Sequence, residues 1–417
     1  MLINCSRKTN FLTCQFLDDE KQRNMIATSV LDYLNTNTED KMNFSSKMLD
    51  LLAISHFVFM IDKSISRDEG IDGWMRTFRV SIEVCDADFW NSKSIDLCKM
   101  LNYLSGDKWD IIFKSLEIEH YRYTNYFKDD EGTICMLSGG LDSLIGAIDL
   151  LESGKKDISF VSIKLGGSVN NNAQKEIITA LESNYKHTES SFSRLSVHGS
   201  NNHGFIEKST RTRSFVYFTV ALAKHWQFKK TKIIIPENGF ISLNVPITNS
   251  RLGSSTTRTT HQYYLNMLEK LYNDCDIHVS IENPYQLKTK GEMIDECLNR
   301  NLLLKLLPLS VSCAHPDVAV FKKRGLQCGY CWPCIIRRSA LKHANINEET
   351  YYSMKLNDGV ESRNSARAYK KLLIDFDKGN YATAVLQNGP IIKDLKDFID
   401  LYKRGIIEIK NLLDNIL

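Results

Sequence analysis

The chain has 417 residues, 43% of them hydrophobic and 25% charged, a composition typical of a globular protein of two or three domains. Its 53 basic and 50 acidic residues leave a formal net charge of +3, which gives little electrostatic basis for a large nucleic-acid footprint. No apolar run approaches the roughly 18 residues of a membrane span, and the first residues do not resemble a secretory signal. We therefore expect a cytoplasmic protein that binds neither a membrane nor a nucleic acid.

Residues 1–130 are predicted to form an α+β domain that interacts with a partner. Residues 46–60 carry apolar side chains at helical spacing, whereas Phe78 and Val80 alternate with polar residues as in a half-buried strand. The same alternation returns at Trp109. Nothing in this part of the sequence indicates catalysis.

Residues 131–345 are predicted to form an α/β domain in which strands and helices alternate. The predicted strands are 133–137, 158–165, 193–198, 232–236 and 277–281, and the predicted helices are 143–152, 173–184, 211–227 and 261–273. Such alternation is typical of a parallel, doubly wound sheet covered on both faces, with ligands bound at the carboxyl ends of the strands. Residues 346–417 are predicted to form a helical C-terminal extension.

A glycine turn follows the first predicted strand of this domain. Residues 137–143 read Leu-Ser-Gly-Gly-Leu-Asp-Ser and pass directly into a helical pattern. A strand that turns through glycines into a helix presents backbone N–H groups at the positive end of the helix dipole, which forms an anion-binding site. We predict that the anion bound there is a nucleotide phosphate. The sequence also fits an ordinary turn in which Asp142 or Ser143 caps the helix. It lacks the Gly-Lys-Ser/Thr ending of a P-loop.

A cysteine cluster occupies the segment 313–334. It consists of Cys313, Cys328, Cys331 and Cys334. Two cysteines separated by two residues can bind one metal, and four soft ligands complete a closed structural zinc site with no open position for a reacting water. A redox pair or a disulfide would leave cysteines of the cluster unexplained. The other seven cysteines lack framework spacing, and we expect them to be reduced.

Together, these motifs and their order resemble the QueC family, the 7-cyano-7-deazaguanine synthases. Residues 138–143 resemble the PP-loop of the N-type ATP pyrophosphatases, and the resemblance covers residues 133–343. The further matching stretches are 211–214, 236–239, 289–293 and 312–337. The resemblance implies a parallel doubly wound sheet of the PP-loop (HUP-like) type with a zinc-binding segment, and the cofactors ATP, Mg²⁺ and Zn²⁺.

The chain departs from a QueC enzyme in ways that indicate a more specific group. About 130 residues precede the matching core and about 70 follow it, and residues 237–261 replace the family's usual aspartate-bearing segment. These features look more like the enlarged, QatC-like members of bacterial anti-phage operons of the Qat type. That resemblance implies deazaguanine chemistry directed at a partner protein, a QatB-like acceptor from the same operon.

The resemblance also implies roles for individual residues in adenylation. A carboxylate is a poor electrophile, so its transfer to an amine requires attack on the α-phosphate of ATP and release of pyrophosphate. The candidate ATP-binding residues are Leu137, Ser138, Gly139, Gly140, Leu141, Asp142, Ser143, Lys164 and Arg213. The candidate catalytic residues are Asp142, Ser143, Arg211 and Lys290. Asp142 would fix the loop or hold Mg²⁺, and the basic residues would neutralise phosphate charge, with surface ion pairing as their alternative.

Further polar residues after the fourth predicted strand are candidates for binding the deazaguanine substrate. They are Glu237, Asn238, Gly239, Arg251, Arg258 and His261. Glu237 and Asn238 suit hydrogen bonding to a purine-like edge, although they also fit a turn. The segment around Arg258 also fits a solvated loop that caps the next helix at Thr259 or Thr260.

The leading hypothesis is therefore an ATP-dependent ligase that adenylates 7-carboxy-7-deazaguanine, or a relative of it, and transfers it to an amine on a partner protein. One alternative is a nitrile synthase of queuosine biosynthesis that uses ammonia. The other is a nucleotide-binding scaffold without turnover.

Overall fold

The computed structural model describes residues 1–7, 11–17, 24–28, 44–116, 128–164, 168–186, 188–197, 200–201, 207, 209, 211–226, 228–247, 258–316, 327–347 and 352–414. Within these residues the chain is an α/β protein with two sheets and a helical C-terminal region. No helix among them combines the length and the apolar character needed to cross a bilayer.

The first sheet is mixed and has the strand order β5-β4-β1-β2-β3-β9. Its strands are β1 (Leu2–Arg7), β2 (Phe11–Phe16), β3 (Asn24–Thr28), β4 (Thr77–Val84), β5 (Lys108–Ser115) and β9 (Ser200–Asn201). Strands β1, β4 and β5 run parallel, whereas β1, β2, β3 and β9 pair antiparallel. Two residues from the middle of the chain therefore complete a sheet built from its beginning.

Two long helices cover this sheet, α1 (Ser46–Ser64) and α2 (Ala87–Ser105). The Ser45 hydroxyl caps α1 by accepting a hydrogen bond from Met48 N at 3.2 Å. Helix α2 is capped by Asp86 and ends at Gly106, whose φ of 75° is left-handed. The helix α1 and the strand β4 agree with the sequence prediction, whereas β1 to β3 and α2 were not predicted.

The second sheet is parallel throughout and has the order β11-β10-β6-β7-β8. Its strands are β6 (Lys128–Met136), β7 (Ile158–Lys164), β8 (Ser191–Ser196), β10 (Phe228–Ile234) and β11 (His278–Glu282). The chain proceeds from β6 outward to β8 and then returns to the other side of β6 with β10. Neighbouring loops diverge at such a switch point, which leaves a crevice outside the carboxyl ends of β6 and β10.

The helices around the second sheet follow the predicted alternation, and further helices complete the chain. They are α3 (Leu141–Glu152), α4 (Ser168–Asn184), α5 (Arg213–Lys224), α6 (Gly239–Leu243), α7 (Gln262–Asp274), α8 (Lys290–Asp295), α9 (Arg300–Leu306) and α10 (Trp332–His343). The C-terminal region contributes α11 (Val360–Asp377), α12 (Tyr381–Leu386) and α13 (Leu395–Leu413). The parallel sheet and the helical C-terminal region are as predicted.

The two sheets share one hydrophobic core. Helices α1 and α2 pack against α5 and α7, which cover the second sheet. Buried side chains form one continuous cluster from Ile3 in β1, through Phe57 in α1 and Phe215 in α5, to Ile233 in β10. The predicted boundary near residue 130 therefore lies between two parts that are packed together.

A buried group of four ionic side chains lies at the same junction, and we call it the N-terminal ionic cluster. It consists of Asp62, Arg67, Arg76 and Asp107. Asp107 accepts hydrogen bonds from Arg67 Nη1 and Nη2 at 3.0 Å each and from Arg76 Nη2 at 2.7 Å. Asp62 accepts from Arg76 Nη2 at 2.5 Å and from Thr212 Oγ1 at 2.8 Å, which ties α1 to the residues that precede α5.

Candidate functional site

The glycine turn after β6 has the backbone shape that its sequence predicts. Gly139 has a φ of +86°, and a Cβ atom there would lie 3.2 Å from the backbone nitrogen of Gln174. Glycine is therefore favoured both by the left-handed φ and by this close approach. Helix α3 begins at Leu141 with Gly140 as its N-cap, and no side chain of the cap bonds to its first turn.

The predicted helix cap from Asp142 or Ser143 is therefore wrong. The Ser143 hydroxyl instead donates to the Gly140 carbonyl oxygen at 3.0 Å and lies 3.1 Å from the Ser138 hydroxyl. Because these hydroxyls bond within the turn, they do not cap the helix. The positive end of α3 lies at the turn, as an anion-binding site requires.

The neighbouring strand β7 and helix α4 hold the base of the turn. The Ser162 hydroxyl donates to the Leu137 carbonyl oxygen at 2.6 Å. Gln174 Nε2 donates to the carbonyl oxygens of Ser138 at 3.3 Å and Ile163 at 3.1 Å. The turn is thus fastened on one side by residues that carried no recognisable sequence signal.

A buried polar group below the turn contains Asp142, and we call it the Asp142 cluster. It consists of the buried residues Asp142, Asn238 and Lys290 and the half-buried Glu237. Lys290 Nζ lies 3.1 Å from Asp142 Oδ1, and Asn238 donates to Asp142 Oδ2 from its side-chain Nδ2 at 2.7 Å and its backbone N at 3.2 Å. The side chains of Asp142 and Lys290 are only 7% and 3% exposed. The structure thus brings together four of the predicted site residues, from three separate parts of the chain.

The Asp142 cluster holds one more carboxyl group than its single lysine can balance. Burial favours the neutral form of Asp142, but the Lys290 ammonium and hydrogen bonds from Glu237 and Asn238 outweigh it and lower the pKa of Asp142. Burial raises the pKa of Glu237 well above its ordinary value, and the adjacent Asp142 carboxylate raises it further. Asp142 is therefore the more acidic of the two carboxyl groups, and Glu237 is the one that holds its proton to higher pH.

These contacts distinguish between the two roles considered for Asp142. Both of its carboxylate oxygens are engaged by protein groups, so the geometry favours fixing the loop over holding Mg²⁺. Gly239 has a packing role, because a Cβ atom there would lie 1.9 Å from the Gln286 carbonyl oxygen. Asn238 also caps α6, since its Oδ1 accepts from Ile241 N at 2.9 Å.

The predicted basic residues occupy different places. Lys164 is an exposed residue at the carboxyl end of β7, and continuing the β6–β7 register places it level with Gly139. Arg213 is the half-buried first residue of α5. Arg211 is buried beside the N-terminal ionic cluster, where its Nη1 donates to the Ser105 carbonyl oxygen at 3.0 Å.

Arg211 also lies with its guanidinium 4.4 Å from the centre of the Trp74 ring. Burial, followed by the charge of Arg67, lowers the pKa of Arg211 to about 9. These contacts give Arg211 a place at the junction between the N-terminal helices and α5.

Arg258 and His261 lie at a second crevice, beside α7. Arg258 Nη1 donates to the Tyr103 carbonyl oxygen at 2.6 Å, and its Nε donates to Asn388 Oδ1 at 3.0 Å. His261 caps α7 by accepting a hydrogen bond from Tyr263 N at 3.2 Å, so the predicted caps Thr259 and Thr260 are wrong. Burial, with a smaller contribution from Arg258, lowers the pKa of His261 to about 4. Arg251 lies outside the described residues.

A cavity of about 260 Å³ opens beside His261 and is also lined by Asn283, Gln286 and Phe398. Asn283 Nδ2 donates to the Glu237 carbonyl oxygen at 2.7 Å. The cavity therefore lies one residue away from the Asp142 cluster. Its wall includes a side chain of the C-terminal region.

The four predicted metal ligands converge, with all their sulfur atoms within 4.8 Å of one another. The Sγ atoms of Cys313 and Cys331 are 3.9 Å apart, as are those of Cys328 and Cys334. A tetrahedral site with Zn–S bonds of about 2.3 Å requires S–S separations of about 3.8 Å. All eleven cysteines are free thiols in the structure, so no disulfide competes for the cluster. The cluster can hold a metal ion such as zinc.

The cysteine segment also supports the glycine turn. Val311 N donates to the Gly139 carbonyl oxygen at 3.0 Å, and the Ser312 hydroxyl accepts from Leu141 N at 3.3 Å. Backbone N–H groups of His315 and Cys328 lie 3.3 Å from Cys313 Sγ and favour its thiolate form. The residue before the first cysteine therefore contacts the start of α3.

Arg337, on the helix that follows the cysteines, holds in place the residues that precede Cys313. It is fully buried on α10, and its Nη1 donates to the Ser310 hydroxyl at 2.8 Å while its Nη2 donates to the Leu307 carbonyl oxygen at 3.1 Å. The cluster and Arg337 together hold both sides of the strand-like segment that contacts the turn. Ser312 was visible in the sequence only as the neighbour of Cys313.

In comparisons with known proteins, no family model matches the chain and no curated protein matches it in sequence. The resemblance to the QueC family therefore depends on the motif residues whose geometry is described above.

Proposed function

We propose that this protein is a PP-loop ATP pyrophosphatase of the QueC-like type that adenylates a deazapurine carboxylate. The observation that carries the proposal is the glycine turn at the switch point of the parallel sheet, with Asp142 fixed beneath it by Lys290 and Asn238. The N–H groups of Gly140 and Leu141 donate to the hydroxyls of Ser138 and Ser312 at 3.3 Å each, and these hydroxyls can in turn donate to phosphate oxygens at the positive end of α3. A cytoplasmic location, with reduced thiols, is part of the same proposal.

The residues around the turn suit the binding of ATP. The exposed Ser138 hydroxyl and the Ser312 hydroxyl would donate to phosphate oxygens, and Lys164 and Arg213 would neutralise their charge. Since Asp142 is engaged within the protein, Mg²⁺ would be held chiefly by the phosphates of ATP and by water. The Lys290–Asp142 ion pair would keep the turn in one conformation while pyrophosphate forms and leaves.

In the proposed reaction, a carboxylate oxygen of 7-carboxy-7-deazaguanine, or of a relative, attacks the α-phosphorus of ATP. The bond between the α-phosphorus and the bridging oxygen breaks, and pyrophosphate leaves. An amine then attacks the acyl carbon, AMP leaves, and the amine proton passes to water or to a basic group of the acceptor. The cavity beside His261, one residue from Glu237, is the proposed position of the deazaguanine.

We further propose that the amine belongs to a partner protein, QatB-like in the terms of the resemblance, within an anti-phage system. The parts of the chain outside the QueC-like core support this, because Ile391 and Phe398 of the C-terminal part line the crevice beside α7 and both outer parts contact Arg258 near it. Arg258 bonds to Tyr103 of the N-terminal part and to Asn388 of the C-terminal part. Synthesis of a small molecule would not require such additional walls.

The test of adenylation is exchange of labelled pyrophosphate into ATP in the presence of carboxydeazaguanine. Wild-type protein is expected to exchange, and Asp142→Asn should reduce the rate by about 100-fold or more, because the turn loses its anchor. Asp149→Asn is the matched control, since Asp149 lies two turns later on α3 and bonds to Tyr285 instead. No exchange by wild-type protein would refute adenylation of this substrate.

Intact-mass measurement identifies the acceptor. Incubation with ATP, carboxydeazaguanine and the proteins of the same operon should add the mass of the acyl group to one of them. A free nitrile formed from ammonia, with no protein modified, would favour the synthase alternative. Binding of ATP without pyrophosphate release would favour the scaffold alternative.

The resident metal is proposed to be zinc with a structural role. Cys331→Ser should release the metal and lower the melting temperature together, because a closed four-thiolate site contributes to folding. Cys297→Ser is the matched control, since Cys297 is also buried but lies outside the cluster. Metal content by elemental analysis and thermal unfolding are the measurements. A protein that lacks zinc as isolated, with an unchanged melting temperature, would contradict the assignment.

A further inference from the structure

Lys290 reaches Asp142 from the first turn of a very short helix. Helix α8 spans six residues and begins with a capping box, in which the Thr289 hydroxyl accepts from Glu292 N at 3.2 Å and Glu292 Oε2 accepts from Thr289 N at 2.8 Å. A helix of this length is marginal by itself, so its position depends on what packs against it.

The C-terminal helix α13 contacts both halves of this capping box. The Glu408 carboxylate accepts a hydrogen bond from the Thr289 hydroxyl, and the nearby backbone N–H of Gly291 helps to lower the pKa of Glu408 against the effect of burial. Arg404 Nε donates to Glu292 Oε1 at 2.6 Å, and its Nη2 donates to the Leu287 carbonyl oxygen at 2.7 Å. Two side chains of one helix therefore hold the residues on either side of Lys290.

The packing between the helices is close. A Cβ atom on Gly291 would lie 2.6 Å from Glu408 Oε1, and a Cβ atom on Gly405 of α13 would lie 2.3 Å from the Phe240 ring. Phe240 belongs to α6, the five-residue helix that Asn238 caps. Helix α13 thus packs on both short helices that bring the partners of Asp142, Lys290 and Asn238, to the turn.

Glu408 differs from its exposed neighbours on α13. It is 5% exposed, and burial raises the pKa of its carboxyl group although the hydrogen bond from Thr289 opposes this shift. Arg404, by contrast, lies at the surface, where an ion pair contributes little. Glu408 is therefore the contact whose loss would most affect the position of α8.

We infer that Glu408 is a positioning residue, through which the C-terminal helix sets the Lys290–Asp142 ion pair beneath the glycine turn. The positioning of Lys290 by Glu408 is argued from the contacts above. Only the effect of Glu408 on catalysis rests on the proposed function. Removal of the Glu408 carboxylate frees Thr289 and Gly291, so α8 shifts or opens and Lys290 is presented less accurately to Asp142.

The test is labelling of lysine amines in the full-length protein, read by peptide mass spectrometry. Lys290 is 3% exposed and should label slowly, whereas the partly exposed Lys288 is an internal reference two residues away. Glu408→Ala should increase labelling of Lys290 by about tenfold relative to Lys288. Glu408→Gln, which keeps an acceptor oxygen, should stay near the wild-type rate.

Two further variants keep the test decisive. Thr289→Val removes the same hydrogen bond from the other side together with the cap on Glu292 N, so it should increase labelling of Lys290 at least as much, even if Glu408→Ala fails to fold. Leu412→Ala removes a buried side chain from the end of α13, and it should lower stability without exposing Lys290. Equal labelling of Lys290 in wild-type protein and in Thr289→Val, or an equal increase in Leu412→Ala, would overturn the inference.

Pyrophosphate exchange supplies the second readout. In Glu408→Ala the turnover number should fall while the KM for ATP changes little, since the hydroxyls of Ser138 and Ser312 remain. If the wild-type protein shows no exchange, the proposed function fails, but the labelling result still decides whether Glu408 positions Lys290.

Discussion

The protein contains two buried ionic clusters of opposite character. In the N-terminal ionic cluster, two arginines face two aspartates, and every charge has a partner at hydrogen-bonding distance. Burial favours neutral Asp62, but the charges and hydrogen bonds of the arginines outweigh it and lower the pKa of Asp62. In the Asp142 cluster, one lysine faces two carboxyl groups, and the pKa of Glu237 is raised well above its ordinary value.

This difference separates a structural junction from a candidate active site. The balanced cluster joins α1 to the start of α5 through the bond between Asp62 and Thr212. The unbalanced cluster contains a carboxyl group whose pKa is raised, and it lies under a glycine turn at the ends of two strands, where perturbed carboxyl groups are typical of functional sites. Arg211, predicted to be catalytic, makes its contacts beside the balanced cluster.

The largest expected effect comes from breaking the balanced cluster. Asp107→Ala leaves two buried arginines short of a counter-charge and should lower the free energy of unfolding by about 3–5 kcal/mol. Urea denaturation measures the loss, and Asp110→Ala, at an exposed position three residues later, is the control. A loss below about 1 kcal/mol would show that water or other groups compensate the arginines.

A somewhat smaller loss is expected from the Asp142 cluster. Asp142→Asn leaves Glu237 as the carboxyl group that faces the Lys290 ammonium and weakens the hydrogen bonds from Asn238, so the free energy of unfolding should fall by about 1–3 kcal/mol. The double variant Asp142→Asn with Lys290→Met removes both charges and should recover most of this stability, but it should not recover pyrophosphate exchange. Recovery of both would mean that the ion pair only stabilises the fold.

The smallest effect is a pH dependence carried by Glu237. Its pKa is raised on folding, so folding takes up a proton, and this contribution to stability is lost as the pH rises from the ordinary pKa through the raised one. The slope within that window is at most about 1.4 kcal/mol per pH unit. Glu237→Gln cannot titrate and should flatten this part of the stability curve, as urea denaturation at a series of pH values would show. If stability depends on pH with the same slope in Glu237→Gln, the proton taken up on folding is bound by a group other than Glu237.

Sequence patterns predicted the second sheet well and the first sheet poorly. The alternation of strands and helices predicted a strand at residues 158–165, observed as β7 (Ile158–Lys164), whose Ile158, Phe160, Val161 and Ile163 are buried. Strands β1 to β3 are short and carry polar residues, so the local sequence signal for each strand is weak. Their pairing depends on contacts between strands that the sequence pattern does not show. Helix α2 was missed although Asp86 and Gly106 bound it with ordinary caps.

In the candidate site, motifs identified residues but not their partners. The string around Asp142 and the stretch around Lys290 were both singled out, yet only the sheet order shows that they form an ion pair. Gln174 and Glu408 belong to no motif, since one lies in an amphipathic helix and the other on the C-terminal helix. Their contacts form between separate helices and strands, and the local hydrophobic pattern of a sequence does not indicate which elements will pack together.

The pairing of β3 with β9 has a consequence for synthesis on the ribosome. Strand β3 is complete after residue 28, but Ile26 pairs with Ser200, which is made about 170 residues later. Until then, the outer backbone groups of β3 have no strand beside them, and an open edge of this kind is prone to pair with other chains. A fragment that stops near residue 130 should therefore aggregate, and a nascent chain of that length should need a chaperone.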